Sequence, residues 1–335
     1  MFDDMYGIIT VKHPLVSICI PTYNYGRYIG EAIESVLSQD FDDCEIIIID
    51  DCSDDETSNI ITRYIKTSTL IKYFRNERNV GMVNNWNLCL EAAKGKYIQF
   101  LFADDKLCAS DSIRTMYASL EANKEAVMVC SARLVIDDKS KPTGTWSCFK
   151  NDALVLGHEM IYQCLLEQRN IIGEPTAVMF RKEKGQRGFD PSYRQLVDLE
   201  MWLYLLSTGD LVYINKPLVA FRQHEKQQSQ VNSQTNVPLH EMAMLTTRYF
   251  INTSLLDTIL IKPVIDYGYV YKVWKSRRDG KTIPIEKSIS ILDQKQRKRF
   301  YLTMPLYKMV NPILKILIKA RRGKITRKIL LANDC

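Results

Sequence analysis

Three short apolar runs, each followed directly by polar side chains, constrain the fold of this chain more than any other feature. They are residues 16–20 (VSICI), 45–49 (EIIII) and 97–102 (YIQFLF), all rich in β-branched or aromatic residues. Runs of this length and composition are typical of strands that are buried on both faces of a parallel sheet. The sequence therefore predicts three strands of one sheet within its first hundred residues.

Segments with helical periodicity alternate with these strands, at residues 28–39, 58–66 and 84–93. Strand and helix in alternation imply βαβ crossovers and a doubly wound sheet. Further along the chain, strands are predicted at residues 127–134, 176–180 and 211–214, and a helix is predicted at residues 199–207.

Each of the three strands ends in residues that can bind a ligand. In open α/β sheets, ligands bind beyond the carboxyl ends of the strands, so these segments are expected to converge on one crevice. Asp54 and Asp55 are better explained as helix caps. Capping does not explain why Asp51 and Asp105 share a position at strand ends. The three segments are residues 21–24 (PTYN), 50–53 (DDCS) and 103–105 (ADD).

Composition indicates a folded chain with a sizeable core. With 335 residues, 46% hydrophobic and 25% charged, the chain can hold one large domain or two smaller ones. No stretch reaches the ~18 apolar residues of a membrane span, and residues 1–10 lack the basic region of a signal peptide. The nine cysteines are scattered without a C-x-x-C pair, which argues against a disulfide framework or a zinc site and fits a reducing cytoplasm.

The positive charge of the chain is concentrated near its C-terminus. Residues 294–333 contain twelve Lys or Arg and no Asp or Glu. Residues 308–322 (KMVNPILKILIKARR) place apolar and basic side chains on different helical faces, which is the pattern of a helix at a membrane surface. The alternative is a helix packed on its own domain with a solvated basic face. We expect residues 295–330 to contact an anionic membrane surface.

An ordered set of short motifs resembles the inverting family 2 glycosyltransferases of the GT-A fold, over about residues 14–230. The motifs are Pro21-Thr22-Tyr23-Asn24, the 33–39 segment IESVLSQ, Ile49-Asp50-Asp51-x-Ser53-x-Asp55, Asn79-Val80-Gly81, Gly95-Lys96-Tyr97-Ile98, Ala103-Asp104-Asp105, Gly188-Phe189-Asp190 and Asp198-Leu199-Glu200.

The resemblance implies an α/β GT-A fold, a doubly wound and mostly parallel sheet flanked by helices. Residues 1–230 would be the catalytic domain, with a nucleotide-sugar half at about 14–110 and an acceptor half at about 111–230. Polar residues 227–238 are interpreted as a linker. Residues 231–335 would hold this linker and a helical, basic extension.

The resemblance also assigns a metal site. Breaking a sugar–diphosphate bond requires stabilisation of the leaving group, and Mn²⁺ or Mg²⁺ held by carboxylates supplies it. Asp105 would bind the metal directly and Asp104 would contact the ribose or the donor sugar, whereas Phe102 stands where relatives often have another Asp. His224, within an R-x-H sequence common among relatives, would approach the metal or diphosphate; the alternative is a surface or packing histidine.

Recognition of the nucleobase is assigned to the ends of the first two strands. Tyr23 offers a ring that can stack on a base, although an ordinary boundary aromatic is the alternative. By resemblance, Asp51 would accept a hydrogen bond from a pyrimidine N–H, and Cys52 replaces a glycine that relatives often have. The predicted nucleotide-binding residues are Pro21, Tyr23, Asn24, Asp50, Asp51, Asn79 and Asp104.

Catalysis by inversion needs a general base that deprotonates the acceptor hydroxyl. Asp198 matches the catalytic Asp of the family, although Val197 precedes it where relatives frequently have Glu. The alternative is that Asp198 merely caps the helix that follows. The resemblance places Glu174 and Trp202 on the acceptor side.

These observations predict a hexosyl- or N-acetylhexosaminyltransferase that uses a nucleotide-diphosphate sugar, with UDP favoured. Its acceptor would be a hydroxyl of a glycan or lipid-linked glycan in polysaccharide biosynthesis, on the inner face of the cytoplasmic membrane. The alternative is a catalytically silent subunit that binds nucleotide sugars and scaffolds a membrane complex. Nucleic acid is not an expected partner, because no recognised binding module is present.

Overall fold

A computed structural model describes residues 13–224, 227, 237–250, 316 and 325–327. The strands are β1 (Val16–Thr22), β2 (Cys44–Asp50), β3 (Ile71–Arg75), β4 (Tyr97–Phe100), β5 (Lys106–Leu107), β6 (Ala126–Ile136), β7 (Pro142–Trp146), β8 (Ala153–Val155), β9 (Val178–Arg181), β10 (Asp210–Arg222) and β11 (Thr326–Arg327). The helices are α1 (Gly26–Leu37), α2 (Thr57–Ile65), α3 (Met82–Ala92), α4 (Ser112–Ala122), α5 (Gly157–Glu167), α6 (Val197–Leu206) and α7 (Val237–Tyr249).

One sheet runs through the molecule in the order β11-β8-β10-β6-β9-β4-β1-β2-β3, with β5 and β7 paired off this path. Strands β3, β2, β1 and β4 are parallel to one another. Strand β9 is antiparallel to both β4 and β6, so β6 and its parallel partner β10 point the same way as β4. The carboxyl ends of β1, β2, β4, β6 and β10 therefore lie along one edge of the sheet.

Each face of the sheet carries its own hydrophobic core. Alternation along the strands sends Ile18 to one core and Cys19 to the other, as it must when both faces of a strand are covered. Helices α1, α2 and α4 contribute to the first core, whereas α3, α5, α6 and α7 contribute to the second. The predicted doubly wound α/β fold is confirmed.

The structure corrects several predicted element bounds. Strand β10 has 13 residues and runs through Pro217, where the prediction stopped at residue 214. Its register with β6 shifts on both sides of Pro217, and such an irregularity is where a strand can accommodate a residue without an N–H. The strand predicted at residues 176–180 begins at Val178, because Pro175–Ala177 form a short 3-10 helix.

The C-terminal part of the chain contributes to the same fold. Helix α7 begins at Val237, inside the segment interpreted as a linker, and its Met242 and Leu245 are buried in the second core. Thr326 and Arg327 pair antiparallel with β8, so the extension that was expected to be helical contains a short strand. Apart from Ile316 and Ile325, the remainder of the segment 295–330, which was expected to contact a membrane, lies outside the described residues. Across the described part of the chain, no helix has the length and apolarity to cross a membrane.

All eight cysteines in the described residues are free thiols. Cys52 is the unusual one, because it has a positive φ of 66° immediately after strand β2. Only glycine adopts this left-handed conformation without a steric penalty, which costs other residues roughly 1–2 kcal/mol. The frequent glycine of relatives at this position therefore has a backbone explanation.

Replacing this cysteine tests that explanation. We expect Cys52→Gly to raise the free energy of unfolding by about 0.5–1 kcal/mol, because relief of the left-handed strain exceeds the extra chain entropy of glycine. Thermal and urea denaturation measure the change. Cys52→Ala is the matched control, since it removes the thiol and keeps Cβ; an equal gain in that variant would contradict a backbone origin.

Candidate active site

A cleft of about 1670 Å³ opens at the carboxyl edge of the sheet. Ordinary small-molecule sites have volumes of roughly 300–1,000 Å³, so this cleft has room for more than one ligand. Its walls include the ends of β1, β2, β4 and β10 together with the start of α6. The cleft-lining residues among those predicted are Pro21, Tyr23, Asn24, Asp51, Asn79, Asp104, Glu174, Asp198 and His224.

The turn after β1 is fastened to the turn after β2. Asn24 has a positive φ of 59°, its backbone N–H donates to Ser53 Oγ at 2.8 Å, and its Oδ1 accepts from the Asp54 N–H at 2.9 Å. Asp55 accepts from the N–H groups of Gly26 and Thr57, the first residues of α1 and α2, as expected of a helix cap. Tyr23 projects from this fixed turn and is 45% exposed in the cleft.

Asp51 is held in place by the loop that precedes α3. Its Oδ1 accepts from Asn76 Nδ2 and from the Val80 N–H, each at 2.8 Å, and its Oδ2 accepts from the Gly81 N–H at 2.9 Å. A carboxylate has about four acceptor positions, so Asp51 retains capacity for a ligand N–H. Asn79 lies exposed on the same loop and also lines the cleft.

Asp50 takes a structural position instead. It is fully buried, and its Oδ1 accepts from both the N–H and the hydroxyl of Ser53. Its Oδ2 accepts from the Tyr73 hydroxyl at 3.1 Å and lies 3.5 Å from Arg75 Nε. The prediction that Asp50 binds nucleotide is corrected, because its side chain stabilises the turn behind the cleft and does not face it.

The two neighbouring aspartates after β4 also differ in their surroundings. Asp105 is 1% exposed and accepts from Thr176 Oγ1 at 2.5 Å and from the Arg222 N–H at 2.8 Å. Burial, followed by the adjacent charge of Asp104, raises the pKa of Asp105 well above its usual value. Asp105 therefore lies behind the cleft wall, contrary to its expected role as direct metal ligand, and Asp104 is the carboxylate that faces the cleft.

Asp104 is paired with the predicted histidine. Its Oδ2 lies 3.0 Å from Nε2 of His224, and both side chains are more than nine-tenths buried. Tyr25 and Tyr28 place their rings 6.3 Å and 5.2 Å from the His224 ring, which fixes its orientation. Burial raises the pKa of Tyr25, so its hydroxyl stays neutral.

A divalent cation fits this pair only with help from a ligand. Among the described residues, no group of three or more His, Cys, Asp or Glu side chains could hold a metal ion. Mg²⁺ and Mn²⁺ accept few protein ligands when substrate phosphates and water complete their coordination. One carboxylate and one imidazole are compatible with a metal that binds together with a diphosphate.

Arg222 connects the segments around the Asp104–His224 pair. It was not identified as a site residue from the sequence. The guanidinium is fully buried and donates to the backbone oxygens of Asp104 at 2.6 Å and Asp137 at 3.2 Å. It also contacts Glu31 Oε2 at 3.1 Å. Burial opposes ionisation of Glu31, but hydrogen bonds from Ser140 and Lys106 outweigh it and lower the pKa of Glu31 to about 2. The R-x-H sequence was the available signal.

Asp198 lies in the first turn of α6 and reaches the cleft. Its Oδ2 accepts from Asn170 Nδ2 at 2.8 Å and its Oδ1 from the Leu199 N–H at 2.7 Å. The N-cap position belongs to Leu196, so Asp198 does not occupy it. Desolvation of the carboxylate by the surrounding protein, followed by the charge of Glu174, raises the pKa of Asp198 to about 7. A carboxylate with this pKa can take up a proton near neutral pH.

Glu174 and Arg133 form the neighbouring wall. Arg133 Nε and Glu174 Oε1 are 2.9 Å apart, but neither atom meets the angular criteria of a hydrogen bond. The contact is thus a charge attraction between poorly aligned groups. Burial raises the pKa of Glu174 even though Arg133 opposes this rise.

Trp202 does not lie on the acceptor side of the cleft, so its prediction is corrected. The indole is fully buried between Phe180 and Phe189, and its Nε1 donates to the Gly173 carbonyl at 2.9 Å. Trp202 therefore supports the loop that carries Glu174. The exposed indole on the cleft wall is that of Trp146, in a segment to which sequence reasoning assigned no element.

The sheet order and the cleft at its carboxyl edge define a GT-A-like α/β fold. The S. aureus protein TarS (residues 1–349, in complex with UDP-GlcNAc) shares it, with a TM-score of 0.63, 18% identity, and coverage of 92% of this chain and 90% of that one. The mannosyltransferase PcManGT from Pyrobaculum calidifontis, in complex with GDP-Man and Mn²⁺, covers 93% of this chain and 88% of its own, with a TM-score of 0.53 and 15% identity.

The sequence identifies the family. Residues 17–184 match Glycosyl transferase family 2, and the chain belongs to this family and is a glycosyltransferase. The Bacillus subtilis protein TuaG, whose name refers to teichuronic acid biosynthesis, is 32% identical over 210 residues, which span 62% of this chain and 79% of TuaG.

Proposed function

We propose that this protein is an inverting glycosyltransferase that moves a sugar from a UDP-sugar to a hydroxyl group of a glycan or lipid-linked glycan. The observation that carries the proposal is the convergence of Tyr23, Asp51, Asp104, His224 and Asp198 on one cleft. The likeness to TarS, described in complex with UDP-GlcNAc, supports UDP as the nucleotide. N-acetylglucosamine is accordingly the first donor sugar to test.

The nucleotide occupies the end of the cleft formed by β1 and β2. Tyr23 stacks on the uracil ring, and Asp51 accepts a hydrogen bond from its ring N–H. Asn24 and Asn79 lie beside these groups on the cleft wall. Asp104 and His224 would hold a Mn²⁺ or Mg²⁺ ion, which would supply positive charge to stabilise the departing diphosphate.

Asp198 accepts the proton of the acceptor hydroxyl. The acceptor oxygen bonds to the anomeric carbon as the bond from that carbon to the diphosphate oxygen breaks, and the leaving group takes the electron pair. Because attack comes from the face opposite the diphosphate, the configuration inverts. The transition state resembles an oxocarbenium ion, as in glycoside hydrolysis.

The proposal also includes the pathway and the cellular location of the reaction. Its support is the similarity to TuaG and the basic residues between 294 and 333. We place the reaction in polysaccharide assembly on the inner face of the cytoplasmic membrane. Residues 295–330 supply the contact with anionic lipid.

Two matched substitutions test which aspartate holds the cation. We expect Asp104→Asn to weaken Mn²⁺ affinity at least tenfold in the presence of UDP, because it removes a carboxylate that faces the cleft, about 1.4 kcal/mol. Asp105→Asn should change this affinity much less, because protein groups occupy both oxygens of Asp105. Calorimetric titration of Mn²⁺ measures both, and the reverse order would contradict the assignment.

Asp198→Asn tests the catalytic base. We expect kcat for UDP-GlcNAc turnover to fall by about 10²–10⁴ with donor affinity unchanged. In the wild type, kcat/KM should decrease as the pH falls through about 7, because Asp198 must be ionised to accept a proton. A radiolabelled-sugar release assay across pH 5–9 measures this, with pH values chosen around the pKa. An acid limb that persists in the variant would contradict the assignment, whereas a wild type that binds UDP-GlcNAc without turnover would favour a silent subunit.

Thermal denaturation of the same variant separates catalysis from folding. The folded-state pKa of Asp198 is raised from 3.8 to about 7, so wild-type stability decreases as the pH rises across this interval. Asparagine cannot ionise and lacks this loss. The variant should therefore gain stability relative to wild type between acid and neutral pH, while it loses activity.

A further inference from the structure

Trp146 is an exposed aromatic side chain at the C-terminal end of strand β7. It pairs in register with Arg133 of β6, lines the cleft, and remains 41% exposed. Phe221 of β10 packs against the indole with ring centroids 5.5 Å apart and an interplanar angle of 35°. This packing fixes the indole plane while leaving much of its surface accessible.

The position of Trp146 connects it to the reaction centre. The Arg133 guanidinium lies 5.8 Å from the indole centroid and contacts Glu174 on its other side. The charge of Glu174 in turn acts on Asp198. The side chains of Arg133 and Glu174 thus lie between the indole of Trp146 and Asp198, the proposed base. This arrangement suits an acceptor whose reacting hydroxyl lies near Asp198 while one of its sugar rings lies on the indole.

We propose that Trp146 is the stacking platform for a neutral pyranose ring of the glycan acceptor, an inference that rests on the proposed function. The apolar C–H face of a pyranose packs well on an indole, and Thr145, Ser147 and Gln223 supply groups that bind sugar hydroxyls. Asp138 and Glu174 also line the cleft, where Arg27 and Arg133 compensate their charges, and this balance suits a neutral ring.

The test uses the full chain, UDP-GlcNAc with Mn²⁺, and aryl glycosides of glucose, galactose, N-acetylglucosamine and N-acetylgalactosamine. Hydrolysis of the donor by water serves as a readout that needs no acceptor. We expect Trp146→Ala to raise the KM for the accepted glycoside at least tenfold, with donor KM and donor hydrolysis unchanged. Trp146→Phe should recover most of the loss, because it restores an aromatic face.

The outcomes are distinct. Unchanged acceptor KM in Trp146→Ala overturns the platform, as does a rise in donor KM, which would assign the indole to the donor. Wild-type protein that hydrolyses UDP-GlcNAc but glycosylates no member of the panel also overturns a pyranose acceptor at this site. Absence of any donor turnover by wild type is instead a failure of the proposed function.

A second, independent observation concerns Glu241 of α7. Its side chain is 3% exposed and accepts the backbone N–H groups of Arg194 at 2.6 Å, Gln195 at 2.9 Å and Leu196 at 2.7 Å. Leu196 is the N-cap residue of α6, and it cannot cap the helix with its own side chain. Glu241 therefore holds the turn that leads into α6, and its bond to the Leu196 N–H is the contact that a glutamate at N3 makes in a capping box.

Helix α7 also contacts α6 near the end of its first turn, through the side chain of Glu200. Arg248 Nη1 lies 3.2 Å from Glu200 Oε1, and the Tyr249 hydroxyl donates to the same oxygen at 2.6 Å. Arg187 pairs with the other oxygen of Glu200. The first turn of α6, which carries Asp198, is thus fixed by side chains that follow residue 236.

We infer that Glu241 is a positioning residue for Asp198. It acts through the backbone of residues 194–196, of which Arg194 and Gln195 line the cleft themselves. Its carboxylate accepts from the N–H of Leu196, two residues before Asp198, so its removal takes a negative charge away from this turn and favours the ionised form of Asp198. The other charged groups around this turn are Glu174, Arg133, Arg169, Arg194 and Glu200.

Glu241→Gln and Glu241→Ala test this inference, with His240→Ala as a matched control at an exposed position of the same helix. We expect kcat for UDP-GlcNAc turnover to fall at least tenfold in both Glu241 variants, with donor KM unchanged. The acid limb of kcat/KM should move to lower pH by about one unit or more. His240→Ala should resemble wild type in both measurements.

Glu241→Gln retains one acceptor oxygen and is the variant to compare if the alanine fails to fold. If the variants only lowered the melting temperature, with kcat and the acid limb of kcat/KM unchanged, Glu241 would have a purely structural role and the inference would be wrong. Wild-type protein without turnover would again indicate failure of the proposed function rather than of this one.

Discussion

The buried carboxylate of Asp105 is the constraint on which the cleft depends. Through Thr176 and the backbone of Arg222 it joins the end of β4 to the 3-10 helix before β9 and to the end of β10. These segments are 71 and 117 residues away along the chain. Loss of such a group would leave buried donors unsatisfied, at roughly 1–3 kcal/mol each. Asp105 thus lies in the wall behind the cleft, whereas the neighbouring Asp104 faces the cleft.

Electrostatics then separates the acidic residues of the cleft into different tasks. Asp51 accepts from several N–H donors, and Asp104 is paired with the imidazole of His224. Desolvation by the surrounding protein raises the pKa of Asp198 to about 7. Carboxylates whose environments differ in this way can serve as base-binding group, metal ligand and proton acceptor within one site. Arg222 holds the backbone of Asp104 and Glu241 holds the turn before Asp198, although neither residue lies at the proposed reaction centre.

Sequence patterns predicted the parallel half of the fold, and nine of the twelve predicted site residues line the cleft. Continuous apolar runs identify buried strands, and polar residues at their ends identify the sheet edge. The bounds of β10 and the start of β9 were wrong because proline positions alone do not reveal a register shift or a 3-10 turn. Strand β7 was not predicted at all, because PTGTW has neither alternation nor an apolar run.

The sequence by itself determined the fold class, the family and the residue types available for chemistry, because these follow from local periodicity and ordered motifs. Only the tertiary structure decided which member of each acidic pair faces the cleft. It turned Asp50, Asp105 and Trp202 inward, brought Trp146 to the cleft wall, and attached Glu241 to α6. Side-chain direction and burial depend on packing between distant segments, and no local pattern specifies that packing.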